Sequence, residues 1–305
     1  MTNRVSAGLV GLLCWVIFDP IIVLGREMSN NGLIQANVYE SVCNALSKQD
    51  ISGLWPQEVL PLAQLLTDNS ELVRHEVYLA IADHVRKMNG DAPRRRELVG
   101  LLVKGLTDQS SAIRDSITEW LCTMKPDDFG PDAKIAIEKA FNLKPTKQLI
   151  LLSGLADVTT VSTKIDKFVF YPSATPSCGR FYGTVEWGAE LVRARKGNRS
   201  SIKKVLEAVD AENDTVTRVT LLLPELEYVH QPEVVVRLKH ILNSEERLEP
   251  LKSTIPGIKC AQYAAVVLAR MLVGFPITKD DVNYTDAELN ICRKWMASQK
   301  KWTFK

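Results

Sequence analysis

The chain of 305 residues has little of what enzyme chemistry is usually built from. It carries no phosphate-cradling glycine loop, no dinucleotide glycine fingerprint, no paired histidines in a zinc-helix pattern and no nucleophile elbow. Those absences set aside the common nucleotide-dependent, metal-hydrolytic and acyl-transfer classes. There are only four histidines. His75 and His84 stand nine residues apart, about 900 degrees of helical rotation, so one helix would hold them on opposite sides. His230 and His240 are separated by Pro232 and have no cysteine at zinc spacing, which leaves them as helix-end or surface residues. Ser201-Ile202-Lys203-Lys204 meets a serine-x-x-lysine pattern without its companion motifs, and a serine opening a helix is expected as a cap. No catalytic, cofactor-binding or metal-ligating residue is assigned.

Cysteine is sparse as well. Apart from Cys14, the cysteines are Cys43, Cys122, Cys178, Cys260 and Cys292, an odd set without close pairs, which argues against a disulfide framework and for a reducing, cytoplasmic setting. All five are expected to react with an alkylating reagent in denatured, unreduced protein. Aromatic residues make up 7%, and a net charge of +2 gives no general pull towards nucleic acid. Apolar residues at 46% and charged residues at 24% exclude a disordered chain. One long apolar run, residues 7–25, is broken by Asp19 and Pro20. A central aspartate costs about 2.5–3.5 kcal/mol on insertion into a bilayer. Residues 1–27 therefore read as a secretory signal, a membrane anchor or a stretch ahead of a true start at Met28. Export or tethering through residues 1–25 is the alternative to the cytoplasm, and membrane contact is expected only through residues 7–25. The glycosylation-type sites at Asn198, Asn213 and Asn283 matter only for an exported chain.

What the chain does have is a repeat. Residues 65–74, LLTDNSELVR, return as residues 105–114, GLTDQSSAIR, with Asp68 matching Asp108, Val73 matching Ile113 and Arg74 matching Arg114 at a period of 40 residues. A fixed period of this size with helical spacing inside it marks stacked helix pairs. The aspartate in the turn, with an apolar residue and arginine six positions on, resembles the HEAT repeat. That resemblance implies an all-α fold, a HEAT-like α–α solenoid of about five helix pairs. It also implies that Asp68, Arg74, Asp108 and Arg114 form a structural ladder, each arginine reaching a turn aspartate of its own or a neighbouring unit. Ser70 and Ser110 are placed to cap the second helix of each pair.

Along the chain, residues 28–158 read as the N-terminal repeats. A capping helix is expected at 33–48, a first pair opening at Trp55-Pro56, a B helix over 70–88 stopped by Asn89-Gly90, and an A helix after Pro93. Further helices are expected at 111–124, 131–142 and 146–158. Residues 159–183 read as a short aromatic-rich irregular or β insertion, since KIDKFVFY at 164–171 favours extended structure and Pro172, Pro176 and Gly179 punctuate a loop. Residues 184–275 read as C-terminal repeats, with Arg218 in the ladder position, Glu212 in place of the turn aspartate, Lys259 in place of the last arginine, and a kink at Pro224. Residues 276–305 read as a C-terminal capping helix opened by a Thr285/Glu288 capping box, with Lys300, Lys301 and Lys305 suiting its negative end.

Two stretches stand out as candidate binding residues. Phe168, Phe170, Tyr171, Phe181, Tyr182 and Trp187 fall within 20 residues, either as a projecting surface or as packing over a seam. Arg94, Arg95 and Arg96 open a helix, where positive charge opposes the dipole, so they read either as an acidic partner's site or as a solvated edge. The expected function is a non-catalytic scaffold or adaptor holding a protein partner, with no metal and no cofactor. The first alternative is a HEAT-like lyase or cofactor-handling protein, as the resemblance implies. The second is nucleic-acid backbone binding through Arg94, Arg95, Arg96, Arg193, Arg195 and Lys196, a partner the charge balance does not favour.

Overall fold

The computed structural model describes residues 65–88, 92–170, 182–248, 257–279 and 281–305. The expected leader, the helix at 33–48, Trp55-Pro56, the stop at Asn89-Gly90, Tyr171, Phe181, Cys43 and Cys178 lie outside them. The described chain is α-helical and contains no strand, only the isolated bridges Arg247–Lys259 and Leu272–Phe304. It divides into two compact units, Met1–Lys87 and Met88–Lys305. In the first, helix α1 (Glu71–Lys87) buries Val77, Tyr78, Ile81, Ala82 and Val85, one stripe at helical spacing.

The second unit opens with α2 (Ala92–Leu102), which tightens into a 3-10 segment, Val103–Thr107. Then come α3 (Ser111–Leu121), α4 (Pro131–Leu143), α5 (Lys147–Leu155), α6 (Thr159–Ile165), α7 (Val185–Arg195) and α8 (Arg199–Ala211). Helix α9 is composite: Thr215–Thr217, a π-helical turn Arg218–Leu222, and Leu223–Leu226. It is followed by α10 (Pro232–Leu242), α11 (Cys260–Met271) and α12 (Asp286–Ser298). Their starts are written in the sequence. Ser110, Thr146, Thr184, Asn198, Asp214 and Thr285 each accept a backbone N–H of the first turn, and Pro131 and Pro232 occupy first-turn sites where no N–H is needed. Packing joins successive helices, as in α2–α3, α4–α5, α7–α8 and α10–α11, and also second neighbours, as in α3–α5, α5–α7, α8–α10 and α9–α11.

Four expectations are corrected. Residues 159–165, read as the start of an irregular or β insertion, are helical, because Val161 and Ile165 lie one turn apart and bury together despite the β-branched run around them. Ser201 caps nothing: its own N–H donates to the Asn198 side chain, which is the cap, and Ser201 is buried in the first turn. The kink expected at Pro224 coincides with a π-helical turn just ahead of it, in which the Leu223 N–H reaches back five residues to the Arg218 carbonyl. Lys259 stands before α11 as its N-cap residue, not inside the first turn where the ladder arginines sit. Lys305 serves α11 rather than α12: its ammonium donates to the Ala269 carbonyl (2.5 Å), while Lys239 reaches the Met296 carbonyl (3.0 Å) at the end of α12.

Candidate interaction surface

The ladder residues build one local device three times. In the first copy the Asp68 carboxylate accepts the Ser70 N–H (2.7 Å), the Ser70 hydroxyl accepts the Val73 N–H (3.5 Å), and Arg74 donates to the Asp68 carbonyl (2.7 Å). In the second, Asp108 accepts from Ser110 (2.8 Å), Ser110 from Ile113 (3.4 Å), and Arg114 donates to the Asp108 carbonyl (2.6 Å) and the Gln109 carbonyl (2.9 Å). Glu212, Asp214 and Arg218 repeat the spacing. Glu212 accepts the Asp214 N–H (2.8 Å), Asp214 caps α9, and Arg218 donates to the Glu212 carbonyl (3.4 Å). In all three copies the arginine reaches the turn residue's backbone oxygen, while the carboxylate organises the turn. The ladder fixes helix starts and leaves no open binding group of its own.

The arginine triplet is divided. Arg95 is buried and makes a bidentate pair with Asp128 (2.8 and 2.6 Å), tying α2 to the 3-10 turn Pro126–Asp128, and also donates to the Met88 carbonyl (2.9 Å). Burial works against the Asp128 carboxylate, but Arg95 and the Lys125 N–H outweigh it and hold its pKa below the ordinary range. Arg96 is exposed and donates to the Asp127 carbonyl (2.8 Å). The second basic group is likewise engaged within the fold. Arg193 pairs with Glu190 (2.7 Å), Arg195 donates to the Tyr228 carbonyl (2.6 Å) with its guanidinium 4.9 Å from the Tyr228 ring centre, and Lys196 bonds Ser162 (2.8 Å). Phosphate contacts would have to displace these ties, which weighs against the nucleic-acid alternative.

The described aromatics face inward. Phe170, Tyr182 and Trp187 are buried, with Phe170 and Tyr182 standing edge-on to Trp187 at centroid distances of 5.2 and 5.9 Å. Phe168 is half-buried against Phe141 (6.5 Å). Beneath Trp187 lies a polar centre that the repeat pattern did not reveal. Lys147 of α5 and the Trp187 indole N–H both donate to the Glu225 carboxylate of α9, and Tyr182 donates to Glu212 (2.5 Å). Burial pushes the Glu225 pKa up, partly opposed by Lys147 and Trp187. A second tie runs alongside: the Tyr228 hydroxyl donates to the Leu151 carbonyl of α5 (2.8 Å). Helix α5 thus meets α9 and the turn after it directly. The signal for Glu225 in the sequence is a single charge set in the apolar run LLLPEL, which needs a buried partner.

The remaining candidates resolve simply. His230, at φ 49, stacks on Phe304 (5.4 Å), and burial, with Arg195 nearby, lowers its pKa to about 4. Among the described residues no group of three acidic, cysteine or histidine side chains is placed to hold a metal ion, and no helix is long and apolar enough to cross a membrane. The outward-facing surface is uneven. Helices α5, α7 and α11 together expose only Gln148 and Arg270, whereas α4, α8 and α10 carry open faces. Ile135 and Leu143 of α4 and Val236 of α10 are exposed at 65%, 70% and 56%. A shallow groove of about 310 Å³ runs along α8, lined by Arg199, Ile202, Lys203, Leu206, Glu207 and Asp210, with Glu233 of α10 at its side. Compared with models of known families, with curated proteins and with solved structures, the chain matches none.

Proposed function

We propose that this chain is a HEAT-like α–α solenoid acting as a non-catalytic scaffold, and that it holds a protein partner on the outer faces of α4 and α10. The repeated turn device and the contacts between first and second neighbours support the solenoid reading. The observation that carries the binding face is the contrast in exposure between neighbouring helices. Helices α5, α7 and α11 are closed over, while α4 and α10 leave Ile135 and Val236 open to solvent beside charged neighbours. Apolar side chains rimmed by charge are the usual composition of a protein-binding patch.

The test is capture from native lysate on the immobilised full chain, at low and moderate salt, compared with an Ile135→Lys/Val236→Lys variant. The expected result is a stoichiometric protein that survives moderate salt and is lost from the variant. Retention of no protein, or retention indifferent to the two substitutions, would overturn the reading.

A further inference from the structure

The outer face of α8 has a charge order opposite to the one a helix favours. Its first turn contains no acidic residue and its last turn no basic one; instead Arg199 and Lys203 stand towards the positive N-terminal end and Glu207 and Asp210 towards the negative C-terminal end. Among the described residues Lys203 and Glu207 pair only with each other along the helix (3.6 Å), Asp210 pairs with Arg237, and Arg199 and Glu233 have no partner. Residues 199, 202, 203, 206, 207 and 210 share one face at 100 degrees per residue. That face reads basic, basic, acidic, acidic around Leu206, and it lines a groove rather than a ridge.

Such an order is complementary to itself when reversed. A copy of the same helix laid antiparallel about a two-fold axis near residue 205 sets Arg199 against Asp210 of the other copy and Lys203 against Glu207, with the half-buried Leu206 close to the axis and Ile202 turned into the chain's own core. One axis serves both charge pairings, as an isologous contact requires. The two helix dipoles also become antiparallel. We infer that the α8 face binds a second copy of this chain in a two-fold dimer. This contact goes beyond the scaffold reading and does not depend on it. A single helix pair buries less than the roughly 1,200 Å² of a standard interface, so the dimer belongs with the weak, transient contacts and is sensitive to salt.

Sedimentation equilibrium on the purified full chain tests it, over concentrations from about 10 µM to about 1 mM, the range in which so weak a pair dissociates. The expected result is monomer passing to dimer, with Lys203→Glu weakening association at least about tenfold and Glu207→Lys doing the same. The double variant Lys203→Glu/Glu207→Lys reverses both signs on both copies and restores association, and unchanged urea unfolding of all three variants separates this from the loss and recovery of the pair along the helix. Monomer throughout the range overturns the inference, as does a dimer indifferent to the single variants or not rescued by the double. The experiment contains no other protein, so its failure leaves the scaffold reading standing, and the capture experiment can fail without affecting it.

Discussion

Arg95 with Asp128 and Lys147 with Glu225 are two buried pairs that depend on pH in opposite senses. Asp128 has a lowered folded pKa, so its contribution is fully present above the unfolded value and is lost as pH falls through the folded one. Glu225 has a raised folded pKa, so its carboxylate favours folding most at low pH, and that advantage fades as pH rises from the unfolded value through the folded one. For Asp128→Asn the expected outcome is a loss of about 3–5 kcal/mol near neutral pH, because the Arg95 charge stays buried without its counter-ion. Urea unfolding measured from pH 7 down to pH 2 should show the difference between the variant and the wild type holding down to about pH 4 and shrinking below it. A constant difference across that range would mean that the pair is not the source. The triplet's role as a surface patch was the natural reading of three adjacent arginines. Sequence spacing cannot show that Asp128, 33 residues away, turns one of them inward.

Helix starts were the most legible feature of the chain. A serine or aspartate, an apolar residue and an arginine at fixed spacing specify a turn whose carboxylate accepts a backbone N–H and whose arginine closes over the turn carbonyl, and the structure repeats it at positions 68, 108 and 212. Replacing Arg114 by Met keeps the stem and removes two donors, leaving the Asp108 and Gln109 carbonyls to water. The expected loss is about 1–2 kcal/mol, since hydrogen bonds from charged groups contribute more than neutral ones. Arg114→Lys should recover only part of it, because one ammonium does not reproduce the guanidinium fork. Equal stability of the Met variant and the wild type in urea would show that the arginine is ornamental. What the sequence left illegible has a physical reason in each case. The β-branched run at 159–163 has weak helix propensity, and helix α6 exists because Val161 and Ile165 bury on a neighbour, a tertiary fact. The π-helical turn before Pro224, in which Val219 and Leu222 are buried, is a local change of hydrogen-bond register that the proline alone does not specify. The open α8 face was invisible because its charges look like any solvated helix until α10 places Glu233 beside them.

A stack of helix pairs in which each unit touches only its neighbours unfolds piecewise, with stability close to a sum of local terms. The unit Met88–Lys305 departs from that pattern. The Lys147–Glu225 pair and the Tyr228–Leu151 bond join residues 78 and 77 positions apart, and they do so past α7, which is buried between its neighbours with no exposed residue. Separating the part up to α5 from the part beginning at α9 therefore breaks both ties, and the unit should melt as one cooperative body. Three free thiols report on this from separate places: Cys122 just after α3, Cys260 at the start of α11 and Cys292 in α12. Burial raises the pKa of all three, Cys122 to about 12 and Cys292 to about 11, so each stays a protonated, unreactive thiol in the folded protein at neutral pH. Alkylation across a urea series, read residue by residue by mass spectrometry, should give the three sites one shared midpoint. In Tyr228→Phe, which removes one cross-tie and leaves the Leu151 carbonyl unpaired, the expected change is a Cys122 midpoint that separates to lower urea than those of Cys260 and Cys292. If Cys122 already reacts earlier in the wild type, the halves are independent and the two long-range ties do not couple them.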